Sequence, residues 1–178
     1  MAAAFTNANG GTVKLLKDVD MGDSYIPLGD ETETTIEITL DLNGKKITSL
    51  SAYIFDIYNA ELTVQDSAVG GSATTTGEYV FYLNVESSVL TIESGEFTSA
   101  TYAVYVYYGT ATITGGTFTG NIFADTGNDG TISITGGTFS EDPSEYLAEG
   151  YEVVSEPNLT YSVIECQEGS GNNEYIPV

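Results

Sequence analysis

The side chains of this chain that could do chemistry are almost all carboxylates and phenols. Its 178 residues include 26 Asp and Glu, four Lys, 13 Tyr and one Cys, with no His, Arg or Trp. Without imidazole and with a single thiol, metal centres built on His or Cys and nucleophile–His pairs are excluded. What remains is acid–base work by carboxylates, as in glycoside hydrolysis, where two acids flank the bond. Asp56, Asp66, Asp125 and Asp129 are the central candidates, and their spacing does not repeat. The only bases, Lys14, Lys17, Lys45 and Lys46, sit at the start of the chain. The sequence therefore points to a protein that is not an enzyme and uses no cofactor or metal.

Smaller signals are bland. Asp125-Thr126-Gly127-Asn128-Asp129-Gly130 resembles a calcium loop, but the twelfth position falls on Gly136, where the EF-hand needs Glu. A turn rich in Gly, Asn and Asp explains it better. Cys166 is a lone thiol, and Asn158-Leu159-Thr160 matches a short glycosylation pattern that arises often by chance. Thr112-Ile113-Thr114 and Ser133-Ile134-Thr135 could begin an ice-binding hydroxyl ladder, which Glu93 and Gln65 interrupt. Tyr102 and Tyr108 share parity with Val104 and should face inward. That leaves Tyr105 and Tyr107 as an exposed pair for stacking on a glycan.

Charge carries more information. The net charge is −22, and from residue 47 onward there are 18 acids and no base. Nine acids lie in Glu141–Glu174, eight in Asp18–Asp41, and nine across residues 47–140. A direct nucleic-acid ligand is excluded by that field. A basic protein is the partner it would attract, through Glu141, Asp142, Glu145, Glu149, Glu152 and Glu156 and secondarily Asp18, Asp20, Asp23, Asp30 and Glu31.

The elements that must position these groups are read from a repeated phrase. Leu90-Thr91-Ile92-Glu93-Ser94-Gly95-Glu96-Phe97 recurs as Ala111–Phe118 and as Ile132–Phe139. Isoleucines 92, 113 and 134, glycines 95, 116 and 137 and phenylalanines 97, 118 and 139 are each 21 residues apart. A fixed period near 20 marks one supersecondary unit stacked on its copies. Within the unit, apolar and hydroxyl residues alternate as in a half-buried strand, and the glycines mark sharp turns that favour positive φ. A second strand repeats between phrases, with Val104 lying 21 residues after Leu83.

Such a chain is a single all-β domain, a right-handed parallel β-helix. The phrase can be followed backwards. Leu62–Asp66 precedes the Leu90 copy by 28 residues, with the surplus seven assigned to a loop at 68–74. Leu40–Gly44 lies 22 residues earlier again, with Gly44 and Ile47 in the glycine and phenylalanine positions. Residues 10–140 thus form about six coils, a rod of roughly 29 Å at about 4.8 Å per strand. Over that length −22 gives three to four charges per coil, against about 2.8 for duplex DNA over the same rise.

The two open ends need covers. Residues 1–9, beginning Met1-Ala2-Ala3-Ala4-Phe5, are expected to form a short helical lid. Residues 141–178 should begin with one short helix over Asp142–Gly150, Pro143 at its first turn and Gly150 at its stop. Tyr151–Val154 and Tyr161–Ile164 then read as a closing hairpin across Pro157-Asn158. Two covers are what a complete domain would carry.

Gly10–Val19, Ile38–Ile47, the repeated Ile-Thr-Gly-Gly-Thr-Phe and the closing Thr138-Phe139-Ser140-Glu141-Asp142-Pro143-Ser144-Glu145-Tyr146-Leu147-Ala148-Glu149-Gly150-Tyr151 resemble the coils and cap of β-helix domains in surface proteins of gut Firmicutes. The resemblance spans about residues 10–165 and implies a pectin-lyase-like fold. It implies no activity, because the matching positions are glycines, core aliphatics and cap residues. Those proteins usually carry an export signal and further modules, and neither is evident here. If Met1 is the native start, the expectation is a cytoplasmic, phage- or mobile-element-encoded inhibitor of the anti-CRISPR or DNA-mimic kind, presenting carboxylates to a nucleic-acid-handling enzyme. If Met1 precedes a fragment, the expectation is a bacterial cell-surface module that binds glycan or host protein.

Overall fold

A computed structural model describes residues 4–5, 8–30 and 35–167. Each coil of the chain lays down up to three short strands. The first coil holds β1 (Gly11–Lys14), β2 (Val19–Asp20) and β3 (Ile26–Leu28); the second holds β4 (Ile36–Asp41), β5 (Lys46–Ser49) and β6 (Tyr53–Ile57). The third holds β7 (Ala60–Gln65), β8 (Ser72–Thr75) and β9 (Tyr79–Leu83). In the fourth, β10 (Val89–Ile92) is followed by β11 (Glu96–Val106), which runs unbroken round a corner; β12 (Thr110–Ile113) and β13 (Thr117–Ala124) repeat this in the fifth. The sixth holds only β14 (Thr131–Ile134) and β15 (Gly137–Phe139), and β16 (Tyr151–Ser155) and β17 (Tyr161–Glu165) close the end.

Equivalent strands pair in parallel, coil on coil. The first face is β1-β4-β7-β10-β12-β14, and the second runs from β2 through β5, β8, β11 and β13 to β15. The third face is β3-β6-β9 followed by the second halves of β11 and β13. Six rungs on the first face make five full turns of a parallel β-solenoid, the architecture expected from the 21-residue period.

The core follows the predicted isoleucine and phenylalanine columns, but Val104 stands beside Phe81 and not Leu83, so the second strand is offset by two residues from the expected register. Ile92, Ile113 and Ile134 are fully buried on successive rungs, and Phe97, Phe118 and Phe139 are each 1% exposed. The phenylalanine rings stack at 5.3 and 5.0 Å. Phe81 meets Phe97 edge-on and lies flat on Phe55, which packs against Phe5. One aromatic spine thus threads the solenoid, with Phe5 plugging its first end. Of the expected N-terminal lid, Ala4 and Phe5 are described and helical; Met1–Ala3 lie outside the described residues.

The doubled glycine of the phrase has two separate causes. A Cβ on Gly115 would lie 2.4 Å from the Glu93 carbonyl oxygen. Gly116 has φ 103°, a region that L side chains rarely adopt.

Three expectations are corrected. Ile38, not Leu40, stands beside Leu62, so the second coil is 24 residues long between those positions rather than 22. Ile47 does occupy the phenylalanine column, but Gly44 is one residue out of register. Asn43 and Gly44 both take left-handed φ (50° and 67°), a turn that absorbs the two extra residues. The seven surplus residues of the third coil are not all at 68–74, because β8 already occupies 72–75. Val64 to Ala73 takes four more residues than Ile92 to Phe97, and the rest fall at the next two corners.

The expected helix over Asp142–Gly150 is only one 3-10 turn, Ser144–Tyr146, and Leu147 is already extended. Sheet bonding wins over a helix too short to be stable alone. Ala148 donates its N–H to the Ile134 carbonyl, and the Tyr146 hydroxyl accepts from the Ala124 N–H, so the chain is drawn onto exposed rungs. The closing hairpin forms as expected, β17 pairing antiparallel with both β15 and β16.

Candidate functional site

The corner between the second and third faces aims the side chains that matter most. Ser49, Thr75 and Ser99 are buried there on successive rungs. The Ser49 and Ser99 hydroxyls donate to the Ser24 and Glu78 carbonyls, one coil back, and each accepts from the N–H two residues ahead. Thr75 does the same with the Ser51 carbonyl and the Gly77 N–H. After this corner come one outward residue, two inward residues and another outward one. Tyr53, Tyr79 and Tyr102 therefore face out, followed inward by Ile54-Phe55, Val80-Phe81 and Ala103-Val104.

The doubled inward step overturns the parity expectation for Tyr102. It stands outside the solenoid, stacked on Tyr79 at 5.7 Å and 9°. Tyr108 is likewise half-buried rather than core, its ring edge-on to Tyr107 at 4.8 Å. Tyr105 and Tyr107 are both half-buried, but Tyr105 belongs to a larger assembly and Tyr107 turns to Tyr108.

That assembly covers the third face in two columns. One is Tyr53–Tyr79–Tyr102, ending at Asn121, with Tyr25 packed edge-on against Tyr53. The other is Pro27–Asp56–Tyr82–Tyr105–Phe123. Neighbouring rings within each column are near-parallel, with centres 5.2 to 6.2 Å apart. Parallel rings that close overlap with an offset, like shingles, rather than lying side by side in one plane. Between the columns the angles vary, from 18° for Tyr53–Tyr82 and 43° for Tyr79–Tyr82 to 69° for Tyr79–Tyr105 and 75° for Tyr102–Tyr105. Tyr105 is thus one ring of a wall of overlapping rings rather than half of a Tyr105–Tyr107 pair, and Tyr107 turns to Tyr108.

Carboxylates edge this wall. Burial raises the phenol pKa of Tyr79, with Glu78 bonded beside it adding to the effect. Burial also raises Tyr82 and Tyr105, with further contributions from neighbouring phenols and from Asp56 and Asp125 respectively. Asp56 stands where the second column lacks a ring, and Tyr53 and Tyr82 stack across the gap at 5.8 Å. Its Oδ1 is buried without a hydrogen-bond partner, and burial raises its pKa despite a bond with Asn84. None of the four lysines lies on this face: Lys14 is on the first face, Lys46 on the second, and Lys17 and Lys45 in the turns between.

The acids singled out from the sequence fall into two groups at opposite ends of the solenoid. Glu141, Asp142, Glu145, Glu149 and Glu152 are exposed on the C-terminal cap, with Glu156 half-buried beyond β16. Asp142 accepts from the Ser144 N–H and hydroxyl, which lowers its pKa. Asp18, Asp20 and Asp23 are exposed on the first coil; Asp18 accepts from the Lys46 N–H and Asp20 from that of Gly22. Asp30 is exposed nearby, and Glu31 lies outside the described residues. At about 4.8 Å per rung, the two groups are on the order of 20 Å apart.

Asp41 is not part of either surface. It is buried, paired with Lys14 at 2.8 Å, and accepts from Asn43 and Ser67. Burial alone would raise its pKa; the bonds from Lys14, Ser67 and Asn43 outweigh that and hold it at about 2. This is the one ion pair among the described residues.

The first face carries two further arrangements. Glu37 and Glu61 are exposed on adjacent rungs of the first face. Thr12, Thr39, Thr63, Thr91, Thr112 and Ser133 form one unbroken hydroxyl column, beside a mixed column of Lys14, Asp41, Gln65, Glu93, Thr114 and Thr135. Asp125 caps the short turn at Thr126–Asn128 by accepting from the Gly127 N–H, which accounts for the calcium-like segment as a turn. Among the described residues, no group of three or more His, Cys, Asp or Glu is placed to hold a metal, and no helix is long and apolar enough to cross a membrane. Compared with family models, with curated proteins and with solved structures, the chain matches none.

Proposed function

We propose that this chain is a non-enzymatic interaction protein, a rigid acidic rod that binds a basic protein. The observation that carries the reading is the uncompensated charge. Acids at both ends and on the third face stand with a single ion pair among the described residues, which uses a buried acid rather than an exposed one. Such a field speeds association with a cationic partner and repels nucleic acid. The finer form of the proposal is an inhibitor that occupies the nucleic-acid channel of a basic enzyme, since the charge per rung resembles that of a duplex.

The test is binding to a lysine- and arginine-rich DNA-binding protein used as probe. Affinity should fall steeply between about 50 and 300 mM salt, where the screening length drops below about 10 Å, and duplex DNA should compete. Replacing Glu141, Asp142, Glu145 and Glu149 by their amides should weaken binding while leaving the melting temperature within a few degrees, because surface charges away from packed sites rarely matter to stability. Binding indifferent to salt and to these substitutions would refute the reading. The alternative, a pectin-lyase-like surface module binding glycan or host protein, keeps the same scaffold. Its glycan form is not favoured by rings that cover one another's faces.

A further inference from the structure

The field accounts for attraction but not for a place of contact. We propose that the tyrosine face is the docking surface, and that its occupant is an arginine-bearing segment of a basic protein lying along the solenoid axis. The inference rests on the reading of this chain as a binder of basic proteins.

The face has the properties of a recognition surface. Tyrosine is enriched where proteins meet because it offers large contact area at small entropic loss and a polar tip. Here even that loss is reduced, since Tyr79, Tyr82, Tyr102 and Tyr105 are each held by at least three ring neighbours. Both ends of the wall are open: Tyr25 is 41% exposed and Phe123 37%. Its carboxylates, Asp56, Glu78 and Asp125, have no lysine on the same face to answer them.

Charge and shape together select the occupant. A nucleic acid or a second copy of this chain would bring more negative charge to a negative surface. A sugar needs an open ring face, and the shingled columns leave edges and hydroxyls. A guanidinium has a planar fork that can donate to phenolic oxygen and carboxylate together, which requires no open ring face. A lysine ammonium is a compact, strongly hydrated point charge without that match. Arginine preference is therefore the signature that separates docking on this wall from general attraction to the field.

The experiment titrates the full chain with nona-arginine and nona-lysine peptides at about 150 mM salt. The chain has no tryptophan, so its emission comes from its 13 tyrosines, six of which stand on the wall, and the ring resonances tell these six from the rest. Nona-arginine should bind about tenfold more tightly than nona-lysine, the yield of about one additional charge-assisted hydrogen bond from the guanidinium fork, and should perturb the ring resonances of Tyr82, Tyr102 and Tyr105. Tyr82→Ser with Tyr105→Ser should abolish the preference. The four cap amide substitutions should weaken both peptides alike and leave the preference intact. Should the double tyrosine variant fail to fold, the resonance map of the unaltered protein decides. Equal affinities, perturbation confined to the cap, or a preference lost with the cap carboxylates would overturn the wall as docking surface while leaving the basic-partner reading standing. Failure of both peptides to bind would overturn that reading as well.

Discussion

Two aspartates show how differently this fold uses one side chain. Asp41 is buried with donors on every side, and its pKa is depressed to about 2 from 3.8. Its contribution to stability is full above the unfolded value and is lost as pH falls from about 4 through 2. Asp56 is the reverse case. Its folded pKa is raised, so ionisation works against the fold, and the opposition grows as pH rises from 3.8 through the folded value. Asp56→Asn should remove it, raising stability at pH 7 by about 1 kcal/mol, the lower end of the penalty for an unsatisfied buried group. Melting curves of both proteins at pH 7 and pH 4.5 check this. The gap between them should narrow at the lower pH, and a variant less stable at neutral pH would show that the ionised Asp56 supports the fold.

At the scale of elements, stability resides in columns rather than in single strands. A two-residue strand such as β2 has no standing of its own; it persists because Val19 sits beside Ile47 in a column continued by Ala73, Phe97, Phe118 and Phe139. Phe118 has a stacked ring on either side, at 5.3 and 5.0 Å. Phe118→Ala should therefore cost about 3–5 kcal/mol, seen as a large drop in the denaturation midpoint. Tyr105→Ala removes a ring of similar size from the outer wall, where water can fill the space, and should cost distinctly less. Equal losses would mean that the outer columns support the solenoid as much as the inner spine does.

For the whole molecule the problem is the two ends of a stack of parallel strands. At the first, β3 carries Pro27, and the Leu28 carbonyl bonds to the Tyr58 N–H. Alternation turns the proline nitrogen away from the sheet, where it withholds a donor from any added strand. At the other end β17 and β16 lie antiparallel over the second face, and Leu147 bridges to Ile134 on the first. Removing everything after Ser140 would uncover β15 and Phe139. The shortened chain should associate, measured as a rise in mass by light scattering, and more so at high salt, where its negative charge no longer keeps copies apart. A shortened chain that stays monomeric at high salt would show that charge is not what separates the rods.

Legible from the residues alone were the features that depend on neighbours along the chain and on exact repetition. The 21-residue interval placed Ile113 over Ile92 and Phe118 over Phe97, because identical coils stack in identical register, and the glycines followed from the backbone turn between two strands. The hairpin of β16 and β17 was legible for the same local reason. Tertiary structure decided what repetition did not cover. Coils of 24 and 28 residues hide their register, since an insertion at any corner gives the same total length, and Ile38 beside Leu62 emerges only from the pairing. The cap turn at Ser144–Tyr146 was settled by exposed rungs that outbid a short helix for its backbone. The outer wall was least legible of all. Strict alternation assigns Tyr102 to the core, but a buried hydroxyl three or four residues earlier, bonded to a carbonyl one coil back, turns the chain so that two successive residues point inward, and that single doubled step puts Tyr53, Tyr79 and Tyr102 on the surface beside Tyr82 and Tyr105.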